Sequence, residues 1–326
     1  MITTATSEGL EGTECLARVV VCIAANEDYL VGAATVIRSL IDNLSIPNVA
    51  RVYVLYDRRR APWIHRLADA FEHDDRLEIV PLPIDETRFV DLPLRQYVSR
   101  ETYARLFVAD ILAREKRVLY MDCDVLVRGC VEPLFNLDLG SRPIGLVEDL
   151  GGGSMLRAVP KLCASIGLVQ DRPYWNAGVA LLDLELWRRQ RFGPKVMEAL
   201  CTFRSDLTFE DQDGINVVLG DNVCQVPLEW NYQWSAIECF NRCGWPVSAS
   251  MPRSDIERMC STARIVHFAG PGKPWREGIR NPYRKEYFQV LRRTGLFRMP
   301  QWAWFVLVWW VRATFTAIAR RVPTRR

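Results

Sequence analysis

From Arg18 to Ala24 the chain is an unbroken apolar run rich in Val and Ile, the pattern of a strand buried on both faces. Asp28–Asn43 then carries apolar residues at helical spacing and stops short of Pro47. Arg51–Tyr56 predicts a second strand, Pro62–Glu72 a helix with charged faces, and Leu77–Val80 a third, short strand. Thr102–Arg114 predicts a helix and Arg117–Met121 a fourth strand. Strands alternating with helices predict a mostly parallel sheet with helices on both faces.

The second half is less regular. Ile144–Glu148 and Val179–Asp183 predict strands, with Asp149–Gly153 a loop ending in three glycines. Leu184–Cys201 and Gln212–Leu219 predict helices, and Arg264–Phe268 a late strand. The pattern is that of an α/β protein, with one Rossmann-like domain over residues 15–295 and a tail over 296–326.

The tail differs from everything before it. Trp302, Trp304, Phe305, Trp309, Trp310 and Phe315 stand among aliphatics, and Arg320, Arg321, Arg325 and Arg326 follow. The apolar run Trp302–Val311 is about half the roughly 20 residues that a spanning helix needs, and extending it to Ala319 encloses Arg312. Aromatic and basic residues together predict a helix lying in a membrane interface. The alternative is a helix packed on the core, with the tryptophans as core residues.

Composition narrows the classes. The net charge over 326 residues is +3 and no long basic run crosses the main body, which argues against nucleic acid as a partner. The ten cysteines include no C-x-x-C pair and no zinc-finger spacing, so free thiols in a reducing compartment are expected. Met1–Glu14 is polar and acidic, without the charged start and apolar stretch of a signal peptide. These readings predict a cytoplasmic protein lying peripherally on the inner face of the membrane. Asn43-Leu44-Ser45 matches a glycosylation acceptor, which a cytoplasmic chain would not use.

The strongest chemical feature is Val118-Leu119-Tyr120-Met121-Asp122-Cys123-Asp124-Val125-Leu126-Val127. In extended chain, residues two apart point to the same side, so Asp122 and Asp124 present two carboxylates together. Paired anions in an apolar setting repel, and a hard divalent cation relieves that. A second D-x-D, Asp211-Gln212-Asp213, lacks the strand context. The first one ends a buried strand, where α/β sheets bind ligands. Of the three histidines, His65 and His73 fall in a charged, surface-type segment. His267 ends an apolar strand and leads into Phe268-Ala269-Gly270-Pro271-Gly272-Lys273, a loop able to close over phosphates. A nitrogen ligand favours Mn²⁺, with Mg²⁺ as the alternative.

Taken together, these segments resemble glycosyltransferase family 8, which includes bacterial lipopolysaccharide galactosyl- and glucosyltransferases and glycogenin. The resemblance runs from Arg18 to Trp275 through Ala24-Ala25-Asn26-Glu27-Asp28-Tyr29, Thr102-Tyr103-Ala104-Arg105-Leu106, the D-x-D strand, Asn176-Ala177-Gly178-Val179, Asp211-Gln212-Asp213, and His267-Phe268-Ala269-Gly270 with Lys273-Pro274-Trp275. It implies a GT-A-type fold and a retaining transfer of a hexose from UDP-glucose or UDP-galactose to a saccharide or lipid-linked glycan. It implies Asp122, Asp124 and His267 as Mn²⁺ ligands. The implied donor site comprises Ala24, Asn26, Asp28, Tyr29, Arg105, Asp122, Cys123, Asp124, Asn176, Ala177, Gly270, Gly272 and Lys273, with Tyr29 stacking on the base. Gln212, Asp211, Asp149 and Arg105 are the implied catalytic group. The family often has a run of aspartates where this chain has Asn26-Glu27-Asp28, so the uracil contacts differ in identity.

Other readings compete. A nucleotidyltransferase would need a glycine- and base-rich loop after the first strand, whereas Ala24-Ala25-Asn26-Glu27-Asp28 is acidic. A non-catalytic UDP-sugar-binding membrane protein would have no need of Asp122, Asp124, His267 and Lys273 together. A self-glucosylating primer like glycogenin would need a tyrosine that reaches the site. Ordinary roles compete residue by residue as well: Arg105 pairing with an acid on its own helix, Asn176-Ala177-Gly178 a simple turn, Asp211 a helix cap.

Overall fold

The computed structural model describes residues 18–60, 62–92, 100–234, 236–237, 252–270, 272–276 and 281–319. Met1–Glu14 and the arginines from Arg320 onward lie outside the described residues.

Strand β1 (Arg18–Ala24) forms where the apolar run predicts it, and its alternate side chains enter two cores. Val19, Val21 and Ile23 pack on one face with the helix Leu30–Asp42, while Val20 and Cys22 pack on the other with Tyr103 and Leu106. On one side of β1 lie β2 (Val49–Asp57) and β3 (Leu77–Ile84), and on the other β4 (Arg117–Met121), all parallel. The chain continues through β5 (Val125–Val127), β6 (Ile144–Glu148), β7 (Trp175–Asp183) and β8 (Cys224–Gln225). The seven-stranded order is β3-β2-β1-β4-β7-β6-β8. Only β7 runs against its neighbours β4 and β6, so the sheet is mostly parallel, as predicted.

Differences from the predicted elements have local causes. The third strand continues past Val80 through Pro81 and Pro83 because β3 is the sheet's edge, where a missing N–H removes no ladder bond. The helix predicted over Leu184–Cys201 is two, Leu184–Arg189 and Phe192–Thr202, joined at Arg191 with φ 55° and ψ 44°. Pro194 falls in the first turn of the second helix, where its missing N–H removes no bond, whereas in one continuous helix it would remove the bond to Gln190. The segment predicted as a helix from Thr102 begins as 3₁₀ helix, Arg100–Phe107, and becomes α-helical at Val108–Ile111.

A second, small sheet sets the chemistry. Its strands are β5, β9 (Tyr232–Gln233) and β10 (Ile265–His267), in the order β5-β10-β9. In its antiparallel register His267 lies opposite Val125, the residue after Asp124. In its parallel register His267 lies opposite Gln233, two residues after Asn231. Three distant segments thus converge on the end of β4. Gly32 lets the helix Leu30–Asp42 approach this corner, since a Cβ there would fall 2.3 Å from the Cys123 carbonyl oxygen.

The tail forms one helix, Met299–Ala319. Trp302, Phe305 and Trp309, three and four residues apart, pack on Phe288, and the first two also on Phe297. Trp304 and Trp310 are more than 60% exposed and share the outer side with Met299 and Leu307. The packed-helix reading describes the inner side, where the aromatics join the core. Among the described residues no helix is long and apolar enough to cross a membrane.

Ile37 is fully buried in the helix beneath β1. Ile37→Ala should lower stability by about 2–5 kcal/mol through lost transfer energy and a residual cavity. A urea titration should show the midpoint fall while the folded protein's far-UV circular dichroism stays unchanged.

Candidate functional site

Residue Asp122 follows the last residue of β4, and its amide donates to the Gly178 carbonyl on β7 at 2.8 Å. Asp124 precedes β5, and its carbonyl accepts from the Phe268 amide at 2.9 Å. One ligand atom from each of Asp122, Asp124 and His267 lies within 4.8 Å of the others, and this group could hold a metal ion. His267 Nε2 is 3.2 Å from Asp124 Oδ1 and 3.9 Å from Asp122 Oδ2.

Buried hydrogen bonds orient the imidazole. The Asp149 carboxylate can only accept, so the Asn176 amide nitrogen faces it at 2.9 Å. Asn176 Oδ1 then accepts from the Gly178 amide at 3.0 Å and from Asn231 Nδ2 at 2.8 Å. Asn231 is left with Oδ1 toward His267 Nδ1, at 3.0 Å. In neutral His267 the proton therefore sits on Nδ1 and Nε2 presents a bare lone pair to Asp124. Asp124 Oδ1 is itself buried without a hydrogen-bond partner.

Two lone pairs facing each other in a buried site are repulsive unless a proton or a metal cation lies between them. Ligand atoms at right angles around an ion with bonds of about 2.1 Å lie about 3 Å apart, close to the 3.2 Å between His267 Nε2 and Asp124 Oδ1. Two carboxylates and one imidazole also suit a divalent first-row ion. The residues fit a resident cation.

Gly178 is required at this point for space. A Cβ there would lie 2.2 Å from His267 Cε1 and 2.8 Å from Nδ1.

Around this group the predicted residues take definite positions. The Arg105 guanidinium is buried and donates to Asp122 Oδ1 and the Ala177 carbonyl, both at 2.7 Å, and its Nε lies 2.9 Å from Asp211. Its acidic partners belong to other elements, not to its own helix. Burial pushes the Asp211 carboxyl up to about 6 against the opposing effect of Arg105. Burial likewise raises Asp122, with Arg105 opposing. Burial also opposes the charge on Asp124, but the Lys273 ammonium beside it holds this carboxyl below the usual range. Gln212 accepts from the Ala177 amide at 3.0 Å and donates to Asp149 at 3.2 Å.

The second D-x-D does not pair its carboxylates. It lies on the helix Glu210–Leu219, where residues two apart diverge. Asp211 faces Arg105, while Asp213 accepts from Tyr174 and from the amides of Thr208 and Phe209. Asp211 is not the helix cap; that position is Phe209.

On the β1 side, Ala24 and Asn26 line the strand end, and the Asn26 side chain accepts from the Asp28 amide at 3.1 Å. Asp28 is exposed. Tyr29 meets Trp275 edge-on at 5.7 Å, and Arg276 lies 5.0 Å over its ring. The Cys123 side chain is buried and donates to the Ala24 carbonyl, which leaves only its backbone for a ligand. Gly270 is exposed at φ 86° and Gly272 half-buried. Lys273 is buried: its ammonium pairs with Asp124 and donates to the Phe268 carbonyl.

Sequence reasoning missed Asn231, which orients His267, and Arg276, which covers Tyr29. Nothing local singled out Asn231, since Glu229 and Gln233 make polar residues ordinary in that stretch.

Comparison with known proteins agrees with this geometry. The family model "Glycosyl transferase family 8" matches residues 20–278. A lipopolysaccharide 1,2-glucosyltransferase of Escherichia coli K12 is 26% identical over 276 residues, covering 84% of this chain and 77% of that protein. A lipopolysaccharide 1,3-galactosyltransferase of Salmonella typhimurium is 26% identical over 251 residues, covering 73% and 71%. The solved structure of the galactosyltransferase LgtC with donor and acceptor sugar analogs superposes with a TM-score of 0.66 at 24% identity, covering 85% of this chain and 95% of that one, a likeness of fold.

Asn231→Leu removes the acceptor for His267 Nδ1 while keeping the volume. It should weaken Mn²⁺ binding about 10–100-fold. Titration of free Mn²⁺ by electron paramagnetic resonance checks this, and unchanged affinity would refute the orienting role.

Proposed function

The chain belongs to glycosyl transferase family 8 and is a hexosyltransferase of GT-A fold that takes its sugar from a nucleotide donor; from that premise we propose the particulars of its reaction. It transfers glucose or galactose from a UDP-sugar, with retention and dependence on Mn²⁺, to a glycan or lipid-linked acceptor. The observation that carries this reading is the convergence of Asp122, Asp124 and His267, whose ligand atoms lie within 4.8 Å of one another with Asp124 Oδ1 buried and without a hydrogen-bond partner. The relatives named for glucose and galactose transfer to lipopolysaccharide support both the hexose class and an envelope-type acceptor.

Asp122, Asp124 and His267 hold the cation, which when bound supplies Lewis acidity to the leaving diphosphate. Lys273 lies against Asp124 and exchanges that carboxylate for a phosphate oxygen, adding positive charge where negative charge grows. Gly270 and Gly272 give the loop bare amides for the diphosphate, and its closure excludes the water that would hydrolyse the donor. Ala24, Asn26, Asp28 and Tyr29 form the uridine side, and the Cys123 backbone lies between the two metal-binding aspartates.

Retention could use a nucleophile on the far face of the sugar. The candidate carboxylates are already engaged. Asp149 accepts from the Gly152 amide, Asn176 and Gln212, and Asp211 is buried against Arg105. The Gln212 amide is held at both ends. This favours same-face attack, with the departing phosphate oxygen taking the acceptor's proton. Asp149, Asn176, Ala177, Asp211 and Gln212 then shape the sugar pocket, and Arg105 holds Asp122 and Ala177 in position.

The outer side of the tail helix, with Met299, Trp304, Leu307 and Trp310, rests on a membrane surface, and the protein works as a peripheral enzyme on the cytoplasmic side.

A screen of UDP-sugars should detect UDP release with UDP-glucose or UDP-galactose that chelator abolishes and Mn²⁺ restores. Asp124→Asn should lower kcat/KM roughly a hundredfold or more. Equal turnover in excess chelator would overturn the reading. Separately, deletion of residues 301–326 should abolish sedimentation with anionic vesicles. Undiminished binding by the shortened protein would remove the tail from this account.

A further inference from the structure

Trp309 of the tail helix reaches the segment next to the candidate metal-binding residues. Trp309 is 8% exposed, meets Phe288 edge-to-face at 4.9 Å, and lies 5.4 Å from the Arg284 guanidinium. Its indole Nε1–H donates to the Pro274 carbonyl at 2.8 Å. Pro274 is buried between Lys273, which pairs with Asp124, and Trp275. Trp275 stacks on Tyr287 at 6.0 Å and meets Tyr29 edge-on. The turn closes on itself where the Arg276 amide donates to the Lys273 carbonyl at 3.1 Å.

We infer that Trp309 is a positioning residue for donor binding: through its hydrogen bond to Pro274, the C-terminal helix holds the segment Gly272–Arg276 so that Lys273 faces Asp124 and Trp275 supports Tyr29. Gly270 and Gly272 lead into that segment, which has constraints of its own at Lys273, Trp275 and the Arg276 amide. The indole supplies one from outside. A buried carbonyl that loses its donor reorients or admits water, and the flanking lysine and tryptophan move with it. Seating of the tail is thereby coupled to the affinity of the site for a nucleoside diphosphate. This rests on the reading of the site as a UDP-sugar site, and the two can fail separately.

The test compares the full-length protein with Trp309→Phe, and with Trp309 replaced by its benzothienyl analogue, which keeps the indole's shape and lacks the N–H. Hydrogen exchange is measured without any nucleotide, UDP affinity is measured in saturating Mn²⁺, and Mn²⁺ is titrated alone. Both replacements should speed amide exchange at Arg276. They should weaken UDP binding roughly three- to tenfold, as loss of one such bond allows, while Mn²⁺ binding alone is retained. The donor KM should rise more than kcat falls. Unchanged exchange at Arg276 would overturn the inference. So would faster exchange with unaltered UDP affinity, since the bond would then be structural only. If the parent protein binds no UDP, the UDP-sugar reading fails, while the exchange comparison still decides whether Trp309 holds the segment.

Discussion

Two carboxylates at the end of a buried strand repel each other, and the surroundings of β4 are arranged around that repulsion. Arg105 reaches Asp122 from one side and Lys273 reaches Asp124 from the other. Between them the neutral form of His267 turns a lone pair toward Asp124. The protein's own cations neutralise part of the charge, and the position between the imidazole and the carboxylates suits one more cation. Asn176, Asn231 and Asp149 matter because the direction of each hydrogen bond decides which nitrogen of His267 is bare.

The backbone delivers these groups with little freedom. Asp122 is tied to Gly178 on β7, and Asp124 to Phe268 just beyond β10. The register of the small sheet places His267 beside both connections. Gly178 gives the imidazole room that any side chain would take. A site assembled from strand ends is held within the tolerance that metal coordination demands, whereas a site built on loops alone would wander.

The C-terminal helix joins this frame from outside. Its inner aromatic side completes the packing around Phe288 and Phe297, and Trp309 continues that packing to the segment that carries Lys273. Its outer side leaves large apolar residues in solvent, an arrangement that costs free energy unless a surface covers them.

Much of this was legible along the chain. Apolar runs marked β1, β4 and β6 to the residue, because a strand buried on both faces leaves an unbroken signature. The D-x-D and the late histidine were legible because carboxylates and an imidazole at strand ends have few structural uses. Other features required the folded chain. The two D-x-D motifs look alike in sequence, yet the first forms the turn between β4 and β5 and meets His267, whereas a helix parts the carboxylates of the second. Asn231 and Trp309 carry no local signal of their purpose, since each acts through a partner 36 or 35 residues away. Local sequence determines periodicity and chemistry, which depend on near neighbours. Tertiary structure alone decided which groups meet, which nitrogen is bare and which carbonyl is held, because hydrogen-bond direction and steric room depend on residues that the chain brings together only on folding.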